Sequence, residues 1–111
     1  MPFYNKTITK TVVLHLNMTQ EKQFIEFMKA PFPDNLKGVE IDGVDLVKID
    51  MNLVGLISSS IGKSQRNNSS EIKQIKELQF DLIGILNKLI GTNRVYFDKL
   101  LNLSESITDN S

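Results

Sequence analysis

The chain has 111 residues, 13 basic and 13 acidic side chains, and no cysteine. This length fits a single domain whose core needs no disulfide or metal for stability. The absence of cysteine excludes disulfides, thiolate catalysis and cysteine-based zinc sites. Zero net charge argues against nucleic-acid binding, because affinity for phosphate backbones depends on clustered Lys and Arg.

The sequence is that of a protein expected to be soluble and cytoplasmic. Its first residues, MPFYNKTITK, lack the apolar stretch of a secretory signal. The longest apolar run, Leu53 to Ile57, is too short to span a membrane. We therefore expect neither a membrane nor a nucleic acid as partner. Lysine outnumbers arginine 11 to 2, a bias that suggests the AT-rich genome of a bacterium or phage.

The N-terminal region predicts a strand followed by a helix. Residues Thr7 to Met18 alternate between apolar and polar side chains and are rich in β-branched residues, as in a strand with one buried face. Thr19 suits a helix N-cap. The following helix, Gln20 to Ala30, should end before Pro31. Its apolar residues are predicted to point inward: Phe24, Ile25, Phe27 and Met28.

Residues Leu36 to Val54 predict a β-hairpin. Asp42-Gly43 is a strong two-residue turn signal. The resulting register places Glu40 opposite Asp45, which is unfavourable, so a longer loop or a shifted register is an alternative. The apolar positions of the second arm change from even to odd numbers, and a β-bulge near Leu46-Val47 would explain the change. Residues 54–61 fit a strand end or another short strand.

After a polar loop, Gly62 to Ser70, a long helix is predicted from Ser70 to its C-terminal cap at Gly91. It carries two apolar stripes. The first follows helical spacing and faces the core: Ile75, Leu78, Leu82, Ile85 and Leu89. The second lies beside it: Ile83, Leu86 and Ile90.

A short last helix is predicted from Arg94 to Leu103, followed by a flexible tail. The expected fold class is therefore α+β, in the order β-α-β-β-α-α. A small, mainly antiparallel sheet would carry the long helix and the short last helix on one face. We expect one domain, residues 1–103, and a tail, residues 104–111.

The second stripe raises the question of what covers it. The short last helix can shield at most half of the long one, and Phe80 lies outside both stripes. Cover by the last helix, by a second copy of the chain or by another protein are the alternatives. We favour an interface, with these candidate residues: Phe80, Ile83, Leu86 and Ile90.

A weaker candidate is a ligand site. His15, the only histidine, lies on the polar strand face, where Asp45 or Asp50 could orient it as a base. The segment SSSIGKS could cradle an anion, although it lacks the first glycine of the P-loop pattern. The candidate anion ligands are Ser58, Ser59, Ser60 and Lys63. No ligand spacing for a metal is present.

Two short segments resemble known families. Asp50 to Ser60 resembles the strand-to-serine turn of STAS domains, which implies a phosphorylatable serine, but the helix that follows in that family is replaced by a polar loop. Leu14-His15 with Ile61-Gly62-Lys63 is similar to the bacterial phosphocarrier of sugar uptake, which implies a phosphohistidine. The Arg and Pro that follow the histidine in that family are replaced by other residues here.

The expected function is that of a small regulatory or interaction module that binds a protein, as a homodimer, without catalysis and without a cofactor. Surplus apolar helix surface and the lack of a catalytic constellation motivate this expectation. The alternative is a small ligand- or phosphate-binding protein that uses His15 or the Ser58 to Ser64 segment.

Overall fold

The computed structural model describes residues 20–61 and 69–109, which are mostly helical and broadly α+β. Four helices and one two-stranded antiparallel sheet occur in this part of the chain. The predicted strand Thr7 to Met18 lies outside it. The elements in order are α1 (20–29), a 3₁₀ turn (Asp34–Leu36), β1 (Glu40–Ile41), β2 (Val44–Asp45), α2 (Leu46–Ile61), α3 (Ser69–Leu86) and α4 (Gly91–Thr108).

The predicted hairpin turn is confirmed, together with its simple register. Glu40 pairs with Asp45 across the two strands, and Asp42 and Gly43 form the turn with φ of 51° and 82°. Positive φ at both turn residues is what a type I′ turn requires. Both paired carboxylates are exposed, so water screens their repulsion. An ion pair between Asp42 and Lys88 ties the turn to the connection between α3 and α4.

A helix replaces the predicted second arm of the hairpin, so the predicted strand and β-bulge are wrong. Asp45 caps α2: its Oδ1 accepts the backbone N–H of Lys48 at 3.1 Å. The change from even to odd apolar positions marks the start of a 3.6-residue period. The buried apolar residues of α2 follow that period: Leu46, Ile49, Leu53 and Ile57.

Helix α3 ends at Leu86, five residues before the predicted cap at Gly91. The chain turns there through two tight hydrogen bonds, from the N–H of Lys88 to the carbonyl of Ile85 (3.0 Å) and from the N–H of Leu89 to the carbonyl of Leu86 (3.1 Å). Gly91, at φ of +60°, begins α4. The predicted C-cap is therefore wrong, although the positive φ of Gly91 is that of a turn residue.

Helix α4 has 18 residues and is as long as α3, so the predicted short helix is also wrong. Residues up to Thr108, which we predicted as part of a flexible tail, are helical. Ser104 and Ile107 are buried there. The side-chain amide of Gln79 on α3 donates to the hydroxyls of Ser104 (3.0 Å) and Thr108 (3.2 Å). Contacts with α3 thus extend α4 beyond what its own sequence pattern indicated.

Helices α2, α3 and α4 pack against one another around the core. Helix α1 joins α4 and runs antiparallel to it. The Gln20 side chain donates to the carbonyl of Ser106 at 2.8 Å, whereas Phe27, further along α1, contacts Tyr96, earlier on α4. The predicted inward face of α1 is only partly correct: Phe27 is buried and Phe24 half-buried, but Ile25 and Met28 are exposed.

Candidate functional site

The four residues that the sequence predicts as an interface are not all exposed in the fold. Phe80 is 79% exposed and Ile83 is 54% exposed on the outer face of α3, and Ile90 is 80% exposed after the helix. Leu86 is only 8% exposed and belongs to the core, so it cannot contribute to an exposed interface. We define the α3 outer face as Lys76, Phe80, Ile83 and Gly84.

Helix geometry explains this division. Successive residues are rotated by about 100°, so Phe80 lies nearly opposite Leu82, two residues later. Leu86 follows Leu82 by four residues and therefore shares its buried face. The first stripe is confirmed: Ile75, Leu82, Ile85 and Leu89 are buried and Leu78 is half-buried.

The candidate serines are helical, and the hydroxyls of Ser59 and Ser60 have partners. Ser59 Oγ lies 3.1 Å from the carbonyl oxygen of Leu56 and 3.3 Å from Oε2 of Glu71. Ser60 is buried and donates to the same Leu56 carbonyl at 2.8 Å. An anion near Ser59 would therefore meet the carboxylate of Glu71. Ser58 is exposed on the same helix.

The remaining ligand candidates, His15 and Lys63, lie outside the described residues. The segment that resembles a STAS domain, Asp50 to Ser60, is part of α2 rather than a strand and turn. That correction removes the structural basis of the resemblance. Among the described residues, Asp50, the candidate partner of His15, contacts Tyr96.

Asp50 and Tyr96 form a partly buried hydrogen bond between α2 and α4. The Tyr96 hydroxyl donates to Oδ1 of Asp50 at 2.7 Å. Burial raises the pKa of Asp50, and the hydrogen bond from Tyr96 opposes that rise. Burial and the neighbouring Asp50 carboxylate raise the pKa of Tyr96 well above its usual range. Tyr96 therefore stays protonated and serves as a donor.

Tyr96 is also the centre of an aromatic cluster. Its ring centroid lies 4.8 Å from that of Phe27, 5.7 Å from that of Phe32 and 5.2 Å from that of Phe97. The tilted and edge-on geometries are those that aromatic rings prefer. This cluster joins α1 and the segment that follows it to α4.

A cleft lies between α1 and α4, beside this cluster. Its volume is about 680 Å³, within the range of small-molecule sites. We call it the α1–α4 cleft. Its lining residues are Lys22, Gln23, Glu26, Phe27, Ala30, Pro31, Pro33, Thr92, Val95, Tyr96, Lys99, Asn102 and Leu103.

The antiparallel packing gives the cleft two different ends. The start of α1 lies beside the later part of α4, so Lys22 lies toward one end of the cleft, with Asn102 and Leu103. Lys99 lies between that end and Val95, one helical turn from the latter. The other end is formed by the end of α1 and the start of α4. Its lining is mostly apolar: Phe27, Ala30, Pro31, Pro33, Val95 and the ring of Tyr96, with Thr92.

Residues 20–61 and 69–109 contain neither a candidate metal site nor a candidate membrane-spanning helix. No group of three or more His, Asp or Glu side chains there could hold a metal ion. None of the helices in these ranges has the length and apolar character that a membrane crossing requires.

Comparisons with known proteins add no family to these observations. No protein-family model matches the chain, and neither the curated proteins nor the solved structures gave a match.

The α1–α4 cleft does not follow from the sequence patterns. They predict that the apolar residues of α1 point inward and that the last helix covers part of the long one, and they indicate no surface for Val95 or Tyr96 between α1 and α4. Lys22 and Lys99 were a possible signal, because each lies within one turn of an apolar residue on its own helix. That signal is weak without knowledge of which helices are neighbours.

Proposed function

We propose that the chain is a small non-enzymatic interaction module that acts by binding a protein partner. We further propose that this partner is a second copy of the same chain. The observation that carries the proposal is the α3 outer face, where Phe80 is 79% exposed beside the half-exposed Ile83.

Burial is the physical reason to expect a partner there. Fully burying a large apolar side chain contributes roughly 1.5–3 kcal/mol relative to leaving it in water. Contiguous exposed apolar surface on a helix is typical of interaction sites. Ile90, exposed just after α3, would extend the buried area in a complex.

The charges around the α3 outer face support a second copy as the partner. A two-fold interface brings the same patch of both chains together. If two α3 helices pair antiparallel so that Phe80 of each chain faces Gly84 of the other, Lys76 of one chain approaches the C-terminal end of the partner helix. A cation is favourable beside the negative end of a helix dipole.

Gly84 leaves room for such a pairing. A Cβ at this position would meet no described atom within 4 Å. Gly84 lies one helical turn after Phe80, so a Phe80 ring from the second chain could lie over it.

The test is molar mass in solution, measured by light scattering over a range of protein concentrations. We expect the wild-type chain to shift from monomer to dimer as concentration rises. Phe80→Glu should shift this equilibrium strongly toward monomer. Met51→Glu is the matched control, because Met51 is a similarly exposed apolar residue on α2.

Circular dichroism must show that Phe80→Glu stays folded, which its exposure predicts. A wild-type chain that remains monomeric at every concentration would refute self-association. A dimer that Phe80→Glu leaves intact would place the contact elsewhere and refute the role of α3.

A further inference from the structure

We propose that the α1–α4 cleft binds a single-chain amphiphile with an anionic head group. This site is separate from the α3 outer face and does not depend on self-association. The proposal depends on the shape of the cleft, on its lining and on two lysines that have no partner in the part of the chain that the structure describes.

The shape is concave and large enough for such a ligand. The volume of about 680 Å³ lies within the range of about 300–1,000 Å³ that is usual for small-molecule sites. Along α4 the cleft extends from Thr92 to Leu103. Eleven helical steps correspond to roughly 16 Å, which suits an extended alkyl chain better than a compact metabolite.

One end of the cleft is lined by apolar side chains. The aromatic rings that form its floor present no free polar group to a ligand. Phe27 and Tyr96 form that floor, with their ring centroids 4.8 Å apart. The Tyr96 hydroxyl donates to Asp50, which does not line the cleft. Tyr96 therefore presents its ring to a ligand while its polar atom is engaged elsewhere.

Beyond this apolar end, the cleft carries excess positive charge. Among the described residues, Lys22 and Lys99 form no hydrogen bond and no ion pair. Glu26, the one carboxylate among the described lining residues, is paired with Lys29 at 3.1 Å. Two lysines without a partner among residues 20–61 and 69–109, beside a carboxylate that is paired with Lys29, favour an anion.

An apolar region and a basic region in the same cleft together suit an amphiphile. A small hydrophilic anion would leave the apolar end in water, and an uncharged hydrocarbon would leave both lysines without a counter-charge. A molecule with an alkyl chain on Phe27 and Val95 and an anionic head near Lys99 fulfils both requirements.

The test titrates the 111-residue chain with decanoate, a ten-carbon carboxylate, below its critical micelle concentration. Isothermal titration calorimetry measures the affinity, and ¹⁵N NMR locates the site. We expect saturable 1:1 binding, with amide shifts concentrated in residues 22–30 and 92–103. Decyl phosphate in a parallel titration distinguishes a carboxylate preference from binding of any anionic head.

Two further probes separate the contributions of chain and head. Acetate carries the head without the chain, and decyltrimethylammonium carries the same chain with a positive head. We expect acetate not to saturate the site and the cationic amphiphile to bind at least tenfold more weakly than decanoate. Equal binding of the two amphiphiles would overturn the proposed role of the lysines.

Charge reversal on the protein gives the complementary test. Lys99→Glu and Lys22→Glu should each weaken decanoate binding by roughly tenfold, the effect of about 1.4 kcal/mol at a partly exposed site. Lys76→Glu, on α3, is the matched control and should leave the affinity unchanged. So should Phe80→Glu, which separates this site from the self-association surface.

Three further results would contradict the proposal: no saturable binding of decanoate, amide shifts outside α1 and α4, or equal weakening by Lys76→Glu and Lys99→Glu. Since all three lysines are exposed, their reversal should not unfold the chain, and a circular-dichroism melt of each variant checks this.

Discussion

The α3 outer face and the α1–α4 cleft are both apolar, but they differ in shape. Phe80 projects from a single helix into water, whereas Phe27 and Tyr96 line a concavity between two helices. A projecting side chain can be covered only by another surface that fits around it. A concavity with charged residues at one end can instead enclose a small molecule.

This difference teaches that exposure alone does not define a binding site. On α3, the apolar residues that the sequence grouped together separate into the core-facing Leu86 and the exposed Ile83. On α4, Val95 and Phe97 separate in the same manner, but α1 lies alongside and turns the exposed part into a cleft. The neighbouring helix, rather than the composition, determines which kind of partner each surface suits.

The largest expected effect comes from comparing a buried residue of α3 with an exposed one. Leu82→Ala should lower the free energy of unfolding by about 2–5 kcal/mol, because Leu82 is fully buried and its loss leaves a cavity. Phe80→Ala, two residues away, should change it by less than about 0.5 kcal/mol in the monomer. Urea unfolding at low protein concentration measures both.

Protein concentration provides the control for this pair. If α3 mediates self-association, the cost of Phe80→Ala should grow as concentration rises, because binding of a partner stabilises the folded state. The cost of Leu82→Ala should exceed that of Phe80→Ala under all conditions. Equal costs at low concentration would mean that Phe80 is covered within the monomer.

A smaller effect is expected at the floor of the cleft. Tyr96→Phe removes the donor to Asp50 and should cost about 1–2 kcal/mol at neutral pH, the usual range for a hydrogen bond to a partly exposed charged group. The ring remains, so decanoate affinity should not change. A loss of affinity with little loss of stability would show that the hydroxyl itself contacts the ligand.

The pH dependence of this variant follows from the direction of the Asp50 pKa. Burial raises that pKa above its ordinary value of 3.8, so the stability associated with neutral Asp50 is complete below 3.8 and is lost as pH rises through the folded pKa. Tyr96→Phe removes the bond that opposes the rise and moves the folded pKa still higher. The cost should therefore shrink toward low pH, and it should be smaller in an Asp50→Asn background.

Local signals in the sequence were sufficient for some elements of the fold. The Asp42-Gly43 turn and its register follow from the φ preferences of those residue types, and Pro31 ends α1 as expected. The buried stripe of α3 follows from the helical period. These features depend on residues that are close in sequence.

The errors arose where tertiary contacts decided the outcome. The predicted strand continues past Asp45, whereas Asp45 is the last residue of β2 and also caps α2, so the chain is helical from Leu46. Leu89 continued the helical spacing of α3 but lies in the connection, where the core buries it without a helix. The C-terminal part of α4 is packed through Ser104, a residue that carries no apolar signal. The cleft depends on α1 and α4 being neighbours, which no local pattern encodes.

The smallest expected effect is at Gly84, where one substitution should act differently on the stability of the monomer and on self-association through the α3 outer face. Gly84→Ala should raise the free energy of unfolding of the monomer by about 0.5–1 kcal/mol, because Gly84 is in a helix and the added methyl group meets no described atom within 4 Å. Gly43→Ala is the contrasting control and should destabilise, since Gly43 has φ of 82°. In light scattering, Gly84→Ala should weaken self-association if a Phe80 ring of the second chain lies over this position. The same methyl group would then stabilise the fold and weaken the dimer. A gain in stability with unchanged self-association would leave α3 exposed at Gly84 and move the contact toward Ile90.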